Sequence, residues 1–436
     1  MRRWLRARGN ILEAMPHRLF RAWMAQTRTP LFSSYLVNEP ALVQGILRDR
    51  PAAFPKHPAQ ARAIGDLLGQ SLFLANGADW DRQRRILDVA LGDGFAARAL
   101  PAMNRAAGAM VARLRARCGD GEAAVEIEAE TSFAAADVIL RVLFSQPISE
   151  PAARGLFADF NAYQRAAPLV QLSAILGLPG WLPRLGPRHR RQHRAAQAIR
   201  QRLSGLVAER SAAIVAGEAP QDVATALIGT RDAETGTDLT ESQVADELAL
   251  LMLAGHETSA AMLAWSLWLL AHRPDLQARL LSQVRERGHR APLLRDVLRE
   301  TLRLYPPVPF LLRRAGGPMA MRGRAVAVGS PVILSPWYLG RHERIWNCPH
   351  AFDPDRWATE NGRAGLRHAW IPFSAGPRVC PGAGFAMQEG AVLLAALVRA
   401  FEVRPMRGHP VTPLAQLTLR AADGIALRLI PRQEGA

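Results

Sequence analysis

Apolar positions in this chain recur mostly at helical spacing, and the longest such tract lies in its second half. Thr240-Glu241-Ser242-Gln243 is a capping box, and the helix it opens can run to Arg273, where Pro274 stops it. At 1.5 Å per residue that is roughly 50 Å, enough to cross a whole domain. Leu248 to Ala271 is apolar enough to imitate a membrane span, yet Gly255-His256-Glu257-Thr258-Ser259 sits at its centre. An ionised carboxylate there would cost about 2.5–3.5 kcal/mol in lipid, so the tract predicts a buried core helix with a polar island. Asp296 to Tyr305, closed by Pro306-Pro307, predicts a second helix with Glu300 and Arg303 on one face. Phe385 to Phe401 predicts a third, buried one.

The remaining pattern is shorter in range. Leu31 to Val37 reads as a strand, followed by a helix opened by Asn38-Glu39-Pro40. Pro51 to Asp79 is irregular chain with a short helix, and Asp79 is expected to cap a helix that carries Trp80 and Arg84 on one face. Pro101 to Gly217 is mostly helical, with breaks at Gly119-Asp120-Gly121, at Pro147 and from Gly177 to Pro187. Ala325 to Val328 and Val332 to Leu334, joined through Gly329-Ser330-Pro331, read as a hairpin, and Leu414 to Leu429 as a final one. The predicted class is mainly α with small β-sheets. Residues 1–436 read as a single domain, because no linker, low-complexity tract or internal repeat divides them.

Composition narrows the class. With 49% hydrophobic and 21% charged residues the chain can bury a sizeable core. Cys118, Cys348 and Cys380 are too few and too scattered for a disulfide framework, which fits a reducing cytoplasm. The formal charge of +17 is carried almost wholly by arginine. It admits an acidic protein partner or an anionic membrane, but the arginines are spread out and no nucleic-acid-binding motif accompanies them. Residues 1–28 hold Arg2, Arg3, Arg6 and Arg8, with the apolar stretch broken by Glu13, Pro16, His17 and Arg18. That excludes a signal peptide and a transmembrane anchor, and leaves a basic amphipathic surface segment that contacts membrane lipid as one expectation.

Chemistry concentrates in Phe373-Ser374-Ala375-Gly376-Pro377-Arg378-Val379-Cys380-Pro381-Gly382. Gly376 and Pro377 make a tight turn, and Cys380 falls near a helix start, where the macrodipole and unpaired N–H groups favour a thiolate. Arg378 adds a positive charge that can also bind a carboxylate. A lone soft anionic sulfur suits heme iron, whereas zinc would want further cysteine or histidine partners nearby, and none stands around Cys380. Set by Phe373, Gly376, Arg378, Cys380 and Gly382, the order F-x-x-G-x-R-x-C-x-G resembles the heme-binding loop of the cytochrome P-450 family, in which the sulfur pushes electron density that favours O–O cleavage.

The resemblance extends over essentially the whole chain and is strongest from Thr240 to Phe401. It implies heme b, with Cys380 on the iron and Arg84, Arg313 and Arg378 neutralising the propionates together with Trp80. Ala254-Gly255-His256-Glu257-Thr258 is similar to the oxygen-activating segment. Gly255 would let the backbone approach flat heme, Thr258 would return its hydroxyl to a carbonyl one turn back, and Glu257 and Thr258 would deliver protons during oxygen activation. Glu300 and Arg303 resemble the E-x-x-R pair of the family, with Arg356 as third member, bracing the loop that presents Cys380. Leu250, Phe310, Leu311 and Leu417 are the expected pocket wall. The stretch from Leu169 to Leu182 reads either as a mobile lid over the substrate entrance or as an ordinary helix connection packed on the core. Arg341-His342-Glu343-Arg344 departs from the usual His-Arg-Asp-Pro and is expected to matter little.

The implied activity is insertion of one oxygen atom from O2 into an apolar organic substrate such as a fatty acid, terpenoid or aromatic compound. Electrons are expected from a separate ferredoxin with its reductase, since no flavin or ferredoxin segment is attached. The alternatives are a peroxygenase using hydrogen peroxide and a non-catalytic protein that binds heme or a hydrophobic ligand; Glu257-Thr258 speaks against the peroxygenase.

Overall fold

The structure is a computed structural model, and it describes residues 10–28, 33–119, 121–166, 187–415 and 417–433. Its helices include α1 (Ala59–Leu68), α2 (Gly77–Leu91), α3 (Phe95–Cys118), α4 (Ile127–Phe144), α5 (Pro151–Ala166) and α6 (Pro187–Ala216). The second half adds α7 (Glu241–Ala271), α8 (Pro274–Arg287), α9 (Pro292–Leu304) and α10 (Ala383–Ala400). α7 begins as its sequence dictates: Thr240 accepts from the N–H of Gln243 and the Gln243 side chain reaches back to the Thr240 N–H. Apolar nearly all round, it is buried along most of its length and packs on α4, α6, α9 and α10. α7 and α10 are both long and apolar enough to cross a membrane, and both are mostly buried in the core.

Strands β1 (Met24–Arg28), β2 (Ser33–Val37), β3 (Ala123–Glu126), β4 (Leu311–Arg314), β5 (Met319–Met321), β6 (Arg324–Val326), β7 (Pro331–Leu334), β8 (Phe401–Pro405), β9 (Pro413–Ala415), β10 (Leu419–Ala421) and β11 (Ala426–Pro431) form small sheets. The largest has the order β1-β2-β7-β4, parallel only between β2 and β7. Two expected hairpins are therefore corrected. β6 pairs with β5, while the fully buried β7 pairs with β2 and β4, because four consecutive buried residues suit a central strand better than a two-stranded ribbon. At the end, β9 pairs with β10 alone, and β11 runs between β3 and β8.

Three boundaries also shift. α2 starts at Gly77 after Asn76, with Asp79 inside the first turn rather than at the cap. α3 starts at Phe95, after the left-handed Gly94, and carries Pro101 within it. α9 begins at Pro292, since proline is well tolerated in a first turn. Residues 10–28 are not one amphipathic helix: Ile11 and Leu19 are buried and β1 joins the sheet. Residues 1–9 and the expected lid from Leu169 to Leu182 lie outside the described residues.

The buried side chains divide among a large helical core, a smaller one under the sheet and a third, N-terminal cluster that includes Ile11, Leu19, Phe310 and Tyr338. Ile371 belongs to the sheet-side core and Phe385 to the helical one, so the segment 373–382 is where the chain crosses between them.

Candidate active site

The crossing segment is folded into a rigid loop. The N–H of Cys380 donates to Phe373 O at 2.9 Å and that of Val379 to Gly376 O at 3.0 Å. Gly376 has φ +69°, and a Cβ there would strike the backbone of Leu47 and Arg48, so both its torsion and its neighbours require glycine. Phe373 packs its ring edge against Trp370 at 5.9 Å, and the Trp370 indole donates to Arg299 O of α9. Cys380 is a free, exposed thiol just ahead of α10, whose N-cap is Gly382. Although the residue is open to solvent on one side, the protein packed around its sulfur desolvates it and raises its pKa above the ordinary thiol value, opposed by the Gly382 N–H and the charge of Arg84. The nearby cation is thus Arg84, where Arg378 was expected. Burial outweighs both, and a cation bound at the sulfur would be needed to hold the thiolate firmly.

Arg84 clamps this loop from α2. Its Nη1 donates to Val379 O at 2.8 Å and to Pro377 O at 3.3 Å, while Nε pairs with Asp88 at 2.8 Å, one turn on. These bonds tie Arg84 to the loop backbone and to Asp88. The cations that do gather are Arg313, buried on β4, Arg378 of the loop, and Lys56. Lys56 forms an isolated β-bridge with Arg313, and Arg378 donates to Phe54 O at 3.1 Å. Trp80 carries Arg378 over its ring at 5.6 Å and Lys56 at 6.0 Å. Arg314, the neighbour that competes with Arg313 in sequence, is exposed. Burial and the charge of Arg378 lower the pKa of Arg313 to about 10.

In the middle of α7, between Val244 and Leu267, the exposed or half-exposed positions are Leu251, Ala254, Gly255 and Thr258. They follow one helical stripe. Leu251 therefore opens where Leu250 was expected, and Leu250 is buried in the helical core. Thr258 Oγ1 donates to Ala254 O at 2.6 Å, one turn back. The Cβ direction of Gly255 leads to the flexible end of Ile139 of α4, 2.8 Å from its Cδ1, so a larger residue there would push that side chain aside.

Glu257 is buried and ion-paired to Arg420 of β10 at 2.7 Å, and Arg420 also reaches Gln164 of α5 at 2.9 Å. Glu257 Oε2 has no protein partner. His256 is fully buried against Ser132 Oγ at 2.8 Å, and burial, then the charge of Arg420, pushes its pKa down to about 3, so it is neutral. Glu128 of α4 faces the same group of charges. Its pKa is raised to about 6, chiefly by burial, while the Ala421 N–H it accepts opposes the shift.

Glu300 and Arg303 are both fully buried, 2.7 Å apart, with Arg356 Nε on the same carboxylate at 3.1 Å. The remaining donors of Arg303 go to the carbonyls of Gly340, Pro349 and Ala351, and those of Arg356 to Asn347 and Cys348. The adjoining Arg341 and His342 are also buried. Arg341 lies 3.7 Å over Trp337 and donates to Leu304 O, and His342 stacks on Trp23 at 4.3 Å. Arg341 and His342 are consequently part of the core, while Glu343 and Arg344 lie toward solvent.

Comparison with known proteins decides what this arrangement is. Residues 12–427 match the family model described as cytochrome P-450. The chain belongs to the cytochrome P-450 family. It is 30% identical over 412 residues to cyclooctatin synthase of Streptomyces melanosporofaciens, covering 91% of this chain and 86% of the relative. It is 28% identical to LUTEIN DEFICIENT 5, chloroplastic, of Arabidopsis thaliana, over 92% of this chain and 70% of that one. In fold it resembles a crystal structure of a cytochrome P-450 heme domain, with a TM-score of 0.81 at 23% identity, over 94% of this chain and 90% of that one. As a cytochrome P-450 the protein is an oxidoreductase that uses heme.

The residues present fit that cofactor. Cys380 offers an exposed sulfur on a rigid loop, and Lys56, Arg313 and Arg378 form a half-buried cation group whose acidic neighbours are Glu247, near Lys56, and the exposed Asp81, near Arg378. Such a group suits two carboxylates. Of the expected pocket residues, Leu311 is partly buried on the sheet-side core and Leu417 packs on the helical core. Phe310 instead sits against Tyr338 in the N-terminal core cluster. Sequence reasoning missed Lys56, Leu251, Gln164 and Arg420. Leu251 was available from the stripe through Thr258; Gln164 and Arg420 carry no local signal.

Proposed function

We propose that this cytochrome P-450 is a cytoplasmic monooxygenase that acts on an apolar organic substrate with electrons from a separate ferredoxin and its reductase, residues 1–436 working as one domain. Heme held by Cys380 would supply the activation of dioxygen and the transfer of one oxygen atom. The observation that carries the reading is the alignment of three features: the Cys380 loop, the cation group around Trp80, and an apolar helical stripe broken only by Thr258 with Glu257 beside it.

Each of the chain's own groups then has a task. Arg84 keeps the loop carbonyls of Pro377 and Val379 in place, and so orients the sulfur. Arg313 and Arg378 bind the propionates. Thr258 spends its hydroxyl proton on Ala254 O, which leaves its oxygen lone pairs to orient a water, and the bond back to the helix loosens that turn. Glu257 relays protons from solvent: one oxygen is fixed by Arg420, and the other, unpartnered, takes up a proton and hands it on, so the carboxylate ends as it began. Leu251, Ala254, Leu311 and Leu417 line an apolar wall, with Gly255 beside it. The basic surface would draw an acidic ferredoxin, with a rate that falls as salt rises.

The test is Cys380→Ser against Cys118→Ser and Cys348→Ser. Only the first is expected to abolish the red-shifted absorption of a thiolate-ligated ferrous carbon monoxide complex. Loss of that band in either of the others with retention in Cys380→Ser overturns the assignment. Product formation from a panel of apolar compounds with ferredoxin and reductase separates a monooxygenase from a binding protein.

A further inference from the structure

Of the 55 basic residues in the chain, Lys56 alone is a lysine. It stands half-buried in the cation group beside Trp80. Its Nζ donates to Leu72 O at 2.5 Å and Ala75 O at 3.0 Å, and its main-chain N–H donates to Asn76 Oδ1 at 2.9 Å. Both ends of the residue thus hold segment 72–76, which leads into α2. The charged groups that face it are Arg378 of the cysteine loop, Arg313 of β4 and Glu247 of α7. Glu247 is a weak counter-ion, because burial pushes its pKa up to about 8. Two guanidiniums, always charged, therefore press on one amine.

Counting protons gives this arrangement its meaning. A neutral amine has two N–H groups, enough for the carbonyls of Leu72 and Ala75. An ammonium has a third, which the two carbonyls leave free for a carboxylate. We propose that Lys56 couples cofactor loading to a proton: it is a neutral amine while the heme carboxylates are away, and it takes one proton from solvent when they arrive. The balance is R–NH2 plus H+ to R–NH3+, with no other bond changed. An arginine at this position would stay charged in both states.

The charge environment agrees with the proton count. Burial first, then Arg378 and Arg313, lower the pKa of Lys56 to about 6 in the absence of the carboxylates, with Glu247 opposing. Two carboxylates beside it would raise that value. Above about pH 6 the loaded protein then carries one more proton than the empty one, and affinity falls about tenfold per pH unit until the loaded lysine itself titrates. Below that pH both states are protonated and the dependence vanishes. The inference rests on the reading that the propionates lie among Arg313 and Arg378.

The experiment uses iron-free protoporphyrin IX, which keeps both carboxylates but lacks the metal, so that no proton is released from Cys380. Calorimetry of full-length heme-free protein at pH 8, in two buffers of different ionisation heat, is expected to show about one proton taken up per porphyrin by the wild type. Lys56→Arg is expected to take up none and, with its charge already in place, to bind more tightly than the wild type at pH 8. Lys56→Gln is expected to take up none and to bind at least tenfold more weakly. A wild type that takes up no more protons than Lys56→Arg overturns the proposal.

A second measurement needs no heme-free titration. Protein grown on lysine labelled with 13C and 15N carries the label at Lys56 alone, so the unmodified side chain can be titrated by NMR. In the heme-loaded protein it is expected to titrate near or above the ordinary lysine value of about 10, and far below that when heme is replaced by its dimethyl ester. Equal titration in both overturns the proposal. The carbon monoxide band keeps the two readings apart: its presence alongside a negative lysine result removes only the Lys56 role, whereas its absence removes the heme site itself.

Discussion

Two buried groups of charge sit on either side of the cysteine loop, and they are built on opposite plans. Around Glu300 a carboxylate takes Arg303 and Arg356, and the donors left over reach backbone carbonyls. Around Trp80, the three cations Lys56, Arg313 and Arg378 have two acidic neighbours: Glu247, itself held toward its neutral form, and Asp81, which is exposed to solvent. The first group is closed: it joins α9 to the segment 340–356 and offers nothing to a ligand. The second is a set of donors in search of acceptors. Burial is common to both, and what separates structure from binding site is whether the charges are matched within the chain.

Breaking the closed group should have the largest effect. Glu300→Ala or Arg303→Ala leaves a buried charge unpaired at a cost of about 3–5 kcal/mol, and little folded protein is expected with or without heme. Soluble yield and heme content check this, and normal values in both variants would show a dispensable pair. Arg313→Met should do the reverse in the open group. Heme-free stability, read from denaturant midpoints, should not fall, because an uncompensated cation is removed. Heme affinity should drop roughly ten- to a hundredfold for the loss of one charge-assisted contact worth about 1.5–3 kcal/mol. A lower midpoint in heme-free Arg313→Met would mean that the cation group is structural after all.

The polar island on α7 lies between these extremes, half matched and half open. Thr258→Ala should leave heme content and reduction nearly intact, yet consume reductant with less product and more released hydrogen peroxide; unchanged coupling of electrons to product would remove the proton-delivery role. The smallest effect belongs to Glu128. Its folded pKa of about 6 lies above the ordinary glutamate value of 4.5, so ionising it costs stability. That penalty is absent below pH 4.5 and complete above about pH 6. Glu128→Gln, which keeps an acceptor for the Ala421 N–H, should therefore gain about 1–2 kcal/mol at pH 7 and nothing at pH 4. Equal gain at both pH values would show that charge is not the cause.

What the sequence alone determined is everything that depends on local spacing. The capping box at Thr240 starts the central helix, Glu300 and Arg303 three residues apart share a helix face, and Thr258 reaches a carbonyl one turn back. In the cysteine loop, Gly376 and Cys380 sit at a set distance along a tight turn. These relations follow from the helical repeat and from turn chemistry, which act over a few residues. Only tertiary packing decided the rest. Arg84 turned to the loop carbonyls because Asp88 and Val379 flank it, Gly255 met Ile139 from another helix, and Arg420 came from 163 residues away to hold Glu257. β7 left its expected hairpin to become a central strand. Partners so distant in sequence are chosen by the shared burial of surfaces, and no spacing rule encodes that choice.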